Sequence, residues 1–363
     1  MPYKRYDLPK YPVIEDMWDI LAKEARPIVV YGMGNGADKL FERFEKYGVS
    51  VADVFASDGF VRGHSYRGFR VKSFSEIKES YSDFVIAVSF ASSREEVIGM
   101  LSKIDAEYDV YMPDMPIAEE KTYFDREFYN ENYEKILRAY ELFGDEKSKS
   151  CYAAVINYKL SGRMKYLLDA YSDTDDIYSL IGCEGVRCAL DVGAYNGETV
   201  KEMKRYFKNL ERIVAIEPDK RNYKKLLKYA EECDEPKPEP INAAAHSECG
   251  AASFSASGNR NSSISSSASF EHRIDTVPLI TVDSLSLPAD YIKYDVEGAE
   301  LEALIGSHST IKSRSPVLFV SLYHKSRDIF ELPIMIAEKY EGRKLFLRRT
   351  KCLPAWEIDL IVK

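Results

Sequence analysis

Two carboxylates, Asp191 and Glu217, stand where two apolar runs meet turns, and together they mark a ligand-binding crevice. The first run, Cys188-Ala189-Leu190, leads into Asp191-Val192-Gly193-Ala194-Tyr195-Asn196-Gly197-Glu198-Thr199. A helical pattern follows at Val200, Met203, Tyr206 and Phe207. This reads as a buried strand, a tight glycine turn and a helix start, which lets backbone N–H groups and the positive helix end face a ligand. An acid ahead of the first glycine suits a cationic or hydroxylated ligand. A dinucleotide fold would carry an apolar residue there and the pattern G-x-G-x-x-G. The second run, Arg212–Ile216, ends at Glu217-Pro218, 24 residues beyond Gly193. A carboxylate at the end of a second strand can accept from both hydroxyls of a ribose. Two solvated loop acids are the plain alternative.

Further groups capable of chemistry lie downstream. Tyr291-Ile292-Lys293-Tyr294-Asp295 reads as a strand running into Val296-Glu297-Gly298-Ala299-Glu300, with a helix at Leu301, Leu304 and Ile305. Pro316–Leu322 is strongly apolar and ends at Tyr323-His324. In a parallel sheet these ends fall on the same side as Asp191 and Glu217.

The elements that must position these groups alternate between strand and helix, which implies a parallel sheet. After Glu217 come a helix (Tyr223, Leu226, Leu227, Tyr229, Ala230), the proline-rich break Asp234–Pro240 and an expected third strand over Ile241–Ala245. Ala251–Ala256 reads as a hairpin strand, and Ser255 to Ser269 as a serine-rich loop that could bring Ser262 and Ser263 to the site. A helix over Ile329 to Tyr340 and strands at Lys344–Leu347 and Glu357–Val362 close the chain.

The first part of the chain repeats the theme on a smaller scale. Strands are expected at Pro27–Tyr31, Val49–Phe55, Phe84–Val88 and Asp109–Tyr111, with Gly32-Met33-Gly34-Asn35-Gly36 after the first. Those glycines could cradle a phosphate, with Asp58 on a ribose. They lack the full fingerprint, so close strand-to-helix packing is the favoured reading. Between about Ala118 and Leu180, aromatic and apolar residues recur at helical spacing, forming a connector. Its tyrosines suit packing, and a lid over the later site is the sharper alternative.

With 363 residues and 45% hydrophobic content, more than one domain with a sizeable core is expected. A net charge of −9 without a basic stripe argues against nucleic acid. No apolar run approaches a membrane span, and Met1 to Met17 has no apolar signal core. Six cysteines without a C-x-x-C pair point to reduced thiols and a cytoplasmic location.

Taken together, D-V-G-A-Y-N-G-E-T, A-I-E-P, T-V-D-S-L and I-K-Y-D-V-E-G-A-E-L resemble the FkbM-type S-adenosylmethionine-dependent methyltransferases, over roughly Cys188 to His324. The resemblance implies an α/β fold: a Rossmann-like methyltransferase sheet, mostly parallel with an antiparallel edge hairpin. A smaller N-terminal Rossmann-like α/β domain and a helical connector complete it. The corresponding divisions are 1–116, 117–180 and 181–363.

The resemblance also implies S-adenosyl-L-methionine as cofactor, met by Asp191, Gly193, Ala194, Tyr195, Gly197, Thr199, Glu217, Pro218, Asn242, Ala243, Asp295 and Glu297. Tyr195 departs from the asparagine that many members carry. Methyl transfer to a hydroxyl requires loss of a proton, which suits a histidine base. His324 is expected in that role with Asp295 beside it. Asp295, Glu297 and His324 could also gather around a divalent metal, but the reading adopted assigns none. The expected function is O-methylation of a small molecule or a sugar or polysaccharide hydroxyl, and homo-oligomerisation is compatible with the sequence. The alternatives are a non-catalytic nucleotide- or cofactor-binding protein, and a nucleotide-sugar or NAD-dependent enzyme run by the N-terminal unit.

Overall fold

A computed structural model describes residues 4–57, 59, 61, 63, 65–117, 122–256, 263–264 and 273–363. Asp58 and Ser262 lie outside these residues, and of Ser263 only its strand pairing with Ser255 is described.

The N-terminal part builds strands β1 (Ile28–Tyr31), β2 (Val51–Phe55), the short hairpin β3 (Ser65–Tyr66) and β4 (Phe69–Arg70), β5 (Val85–Val88) and β6 (Asp109–Tyr111). Four of them form a parallel sheet in the order β2-β1-β5-β6. β1 and β5 are buried at every position, as expected for strands covered on both faces. The glycine turn after β1 serves packing. A Cβ on Gly36 would stand 2.1 Å from the Ser89 carbonyl oxygen, so only glycine lets the helix Asn35–Tyr47 approach the end of β5.

The C-terminal part continues with β7 (Cys188–Val192), β8 (Arg212–Ile216), β9 (Pro238–Ile241), β10 (Ala244–Ala245), β11 (Gly250–Ala256), β12 (Ser263–Ile264) and β13 (Arg273–Ile280). It ends with β14 (Tyr291–Tyr294), β15 (Val317–Ser321), β16 (Leu345–Arg349) and β17 (Ile358–Val362). The main sheet runs β16-β17-β15-β14-β7-β8-β9. It is parallel from β15 to β9, and β16 and β17 form the antiparallel edge hairpin. Strand order reverses between β14 and β7, the switch point at which ligands enter such sheets. A second sheet has the order β10-β13-β11-β12.

One expected strand sits earlier in the chain. The third parallel strand is Pro238–Ile241, inside the proline-rich break, and not Ile241–Ala245. Proline lacks an N–H, which excludes it from most central strands but not from an edge strand such as β9.

The connector is not a loose cover. The helix Glu146–Ser161 is buried nearly all round: its run Cys151–Ile156 is apolar, and its buried Lys159 is paired with Asp114. One continuous apolar cluster runs from Val29 and Ile86 of the first sheet, through Tyr152, Val155 and Tyr158, to Leu318, Leu347 and Leu360 of the second. The Tyr158 hydroxyl donates to the Met112 carbonyl at 2.7 Å, and Ser148 Oγ accepts from the Leu347 N–H at 2.9 Å. Its tyrosines therefore pack both sheets together.

Candidate active site

At the ligand end of β7 the chain turns through Gly193 (φ +96°), Tyr195 (φ +50°) and Gly197 (φ +90°) before the helix Glu198–Tyr206. A Cβ on Gly193 would lie 1.8 Å from the Asp295 carbonyl oxygen, so the turn can sit against β14 only without a side chain. The Gly193 and Ala194 N–H groups both donate to the Ile216 carbonyl, at 2.9 and 3.0 Å, locking the turn to the end of β8.

Glu217 follows β8 and is 6% exposed. Its Oε2 accepts from the Tyr195 N–H and its Oε1 from the Asp219 N–H, each at 2.8 Å. Burial outweighs these bonds and pushes its pKa up to about 8. Asp191 is fully buried on β7, and neither carboxylate oxygen has a hydrogen-bond partner. Burial raises its pKa to about 6, with Lys293 opposing the shift. An acid left this way is costly unless a ligand supplies charge or donors.

Beyond β14, Asp295 accepts from Lys293 Nζ at 2.8 Å and from the Tyr323 hydroxyl at 3.1 Å. Burial alone would raise the Asp295 pKa, but the Lys293 ammonium and His324 hold it down at about 2. His324 lies among three carboxylates: Nδ1 is 2.8 Å from Glu300 Oε1, and Nε2 is 3.5 Å from Asp295 Oδ1 and from Glu297 Oε2. Burial alone would lower its pKa. Glu300, Glu297 and Asp295 more than offset that and lift it to about 10. The ring is therefore an imidazolium at neutral pH. In this protonated form the ring has no free lone pair, and it holds the surrounding carboxylates together. Glu300, which the sequence reading passed over, also accepts from the Val296 N–H at 2.9 Å and fixes the turn that carries Glu297.

These ends surround a cavity of ≈ 290 Å³. Of the residues expected at the cofactor, Gly193, Tyr195, Thr199, Glu217, Pro218, Asp295 and Glu297 line it. Asp191, Ala194, Gly197, Asn242, Ala243 and His324 are not among its lining residues. Ala244 and Ala245 line it two positions further along, because β9 ends at Ile241 and the chain turns there. Asn242 uses its side-chain amide to donate to the Glu217 and Pro218 carbonyls, at 2.8 and 3.1 Å. Unforeseen lining residues include Lys293, Tyr323, Glu357 and Asp359. Asp359 had a signal: it is the one charge inside the apolar strand Ile358-Asp359-Leu360-Ile361-Val362. Among the described residues no group of three or more histidines, cysteines or acids is arranged to hold a metal ion. No helix among them is long and apolar enough to cross a membrane.

Comparison with known proteins agrees with this geometry. No curated protein sequence matches the chain. Among solved structures, a methyltransferase FkbM from Methylobacillus flagellatus superposes with a TM-score of 0.70 at 18% identity, covering 99% of this chain and 94% of that chain. A precorrin-6y C5,15-methyltransferase from Geobacter metallireducens aligns at 11% identity over 52% of this chain and 84% of its own, with a TM-score of 0.32. An SAH-bound methyltransferase from Podospora anserina aligns at 9% identity over 74% of this chain and 96% of its own, also at 0.32. The last two are too dissimilar to carry an argument. The sequence profile of the methyltransferase FkbM domain matches residues 191–341, which contain the glycine turn, Glu217, Asp295 and His324. Residues 191–341 are thus similar to the methyltransferase FkbM domain, and the protein is a methyltransferase.

Proposed function

We propose that the protein is an S-adenosylmethionine-dependent O-methyltransferase acting on a hydroxyl of a small molecule or sugar. The observation that carries this is the Asp191 carboxylate, fully buried beside the glycine turn with neither oxygen hydrogen-bonded. A cationic nucleoside in the adjoining cavity would offset its charge. Glu217 suits a ribose diol, and Ala244 and Ala245 offer an apolar wall to a base. When bound, S-adenosylmethionine supplies a methyl group on a sulfonium, ready for displacement by an acceptor oxygen.

The residues of the chain then have three tasks. The cavity orients the acceptor hydroxyl in line with the methyl carbon and excludes water, which can supply several kcal/mol. Asp295, which lines the cavity and stays ionised, takes the hydroxyl proton. That proton becomes strongly acidic as the new C–O bond forms, so a weakly basic carboxylate suffices. His324 and Lys293 keep Asp295 charged and in place.

A cytoplasmic location belongs to the same proposal, supported by six cysteines that form no disulfide. So does the division into 1–116, 117–180 and 181–363. The test is calorimetry with S-adenosylmethionine and S-adenosylhomocysteine, followed by labelled-methyl transfer across glycans and metabolites. The expected result is cofactor binding that is lost in Glu217→Ala, together with label in an ether product. Absence of cofactor binding by the wild-type chain would overturn the reading.

A further inference from the structure

The cavity as a whole is rich in acids. Among the described residues that line it, Lys293 is the one base against seven acids. The positive charges close by are already engaged. Lys293 Nζ bonds Asp295 at 2.8 Å, and the His324 ring contacts Glu300, Glu297 and Asp295. Asp359, 3% exposed, is left over. Its only hydrogen bond among the described residues is a long one, from Ser321 Oγ to Oδ1 at 3.4 Å. Among the described residues Oδ2 has no hydrogen bond, and Asp359 lines the cavity. Glu357 lines the same wall two residues away.

The position of this pair separates it from the cofactor. In the sheet order, β17 lies four strand spacings from β8, so Asp359 and Glu217 are roughly 19 Å apart across the sheet. The ribose-binding acid and Asp359 therefore stand at opposite ends of the cavity. Burial and the neighbouring Glu357 push the Asp359 pKa well above the usual carboxylate range, and a cationic group filling that end of the cavity would favour the charged form.

We propose that the acceptor carries an amine, bound as an ammonium by Asp359 and Glu357, next to the hydroxyl that is methylated. This rests on the methyl-transfer reading above and names the acceptor class it left open. A protonated amine has no lone pair, so it anchors the molecule while the neutral hydroxyl acts as nucleophile. Phosphorylated or carboxylated acceptors would meet like charge and be rejected.

The test uses the full chain saturated with S-adenosylhomocysteine. Binding of glucosamine, glucose and glucose 6-phosphate is measured by ligand-detected NMR, with ethanolamine and ethylene glycol as a second matched pair. Each amine should bind at least about tenfold more tightly than its neutral partner, and glucose 6-phosphate should not bind. In Asp359→Asn, and separately in Glu357→Gln, the preference should fall to about twofold or less while affinity for S-adenosylhomocysteine is retained. Equal binding within both pairs, or an amine preference that survives in Asp359→Asn, would overturn the inference and leave the cofactor reading standing. Failure of S-adenosylhomocysteine itself to bind would instead strike at the methyl-transfer reading, and the inference would fall with it.

Discussion

Lys293 stands directly across from Asp191 in the register of β14 and β7, yet its ammonium bonds Asp295 and leaves both Asp191 oxygens without a hydrogen bond. One buried cation thus lies between two carboxylates and satisfies only one by contact. Asp191, only partly offset by Lys293, lies at the switch point of the sheet, where a cationic cofactor would relieve it further.

Asp191→Asn should separate stability from binding. The folded carboxyl titrates near 6, above its usual value of 3.8, so it weakens the fold as pH rises through that interval. The amide removes this loss. Without cofactor, the variant should gain up to about 3 kcal/mol in unfolding free energy at pH 7 and little at pH 4. Its affinity for S-adenosylmethionine should fall. Denaturant unfolding and calorimetry on the same samples check both.

Glu217 should couple cofactor binding to proton release. Its pKa of about 8 in the free protein leaves it largely protonated at pH 7. A sulfonium nucleoside whose ribose donates to the carboxylate favours the charged form. Affinity should therefore rise with pH up to about 8 and then level off, with a proton released on binding below that pH. Calorimetry in buffers of different ionisation enthalpy measures this. In Glu217→Gln, proton release should disappear and affinity should drop by about 10- to 100-fold.

His324 should leave no mark near pH 6.5 on the pH–rate profile. It stays charged up to about 10, so its stabilising contribution is full below 6.5 and fades only as pH rises toward 10. His324→Ala strands Glu300, Glu297 and Asp295 together and should cost about 3–5 kcal/mol in unfolding free energy. A rate profile with an acidic limb centred near 6.5 would assign the general-base role to this residue.

Gly193→Ala should be among the most damaging single changes in the turn. Its Cβ would meet the Asp295 carbonyl oxygen at 1.8 Å, and φ of +96° is strained for alanine in any case. Separation of β7 from β14 should appear as a large drop in melting temperature and as loss of cofactor binding.

Tyr152 tests the connector. Its ring is fully buried between the sheets, and its hydroxyl has no partner. Tyr152→Phe should therefore be neutral or stabilising by up to about 1 kcal/mol, whereas Tyr152→Ala should cost about 3–5 kcal/mol. Unfolding of both variants distinguishes packing from the lid alternative, under which Tyr152→Ala would alter turnover with little loss of stability.

The position of the site was legible in the chain itself. Apolar runs that stop at Asp191, Glu217, Asp295 and His324 mark strand ends, and in a parallel sheet such ends share one side whatever the details of packing. The glycine at 193 was equally readable, because a turn between strand and helix demands it. Local patterning also marked the two strands that close the chain, while their antiparallel pairing at the edge came from the family resemblance. Patterning misplaced the third strand, because Pro238 and Pro240 read as a break when an edge position tolerates them.

Only the tertiary structure decided the charges. Nothing near His324 in sequence indicates that Glu300, Glu297 and Asp295 close around it and make it a cation. Nor does Asp359 announce that β17, by turning back beside β15, leaves it lining the cavity with one weak hydrogen bond. Strand and turn signals are local, a matter of spacing along the backbone. Protonation and pairing depend on which distant groups the folded sheet brings within a few ångströms and how far it removes them from water.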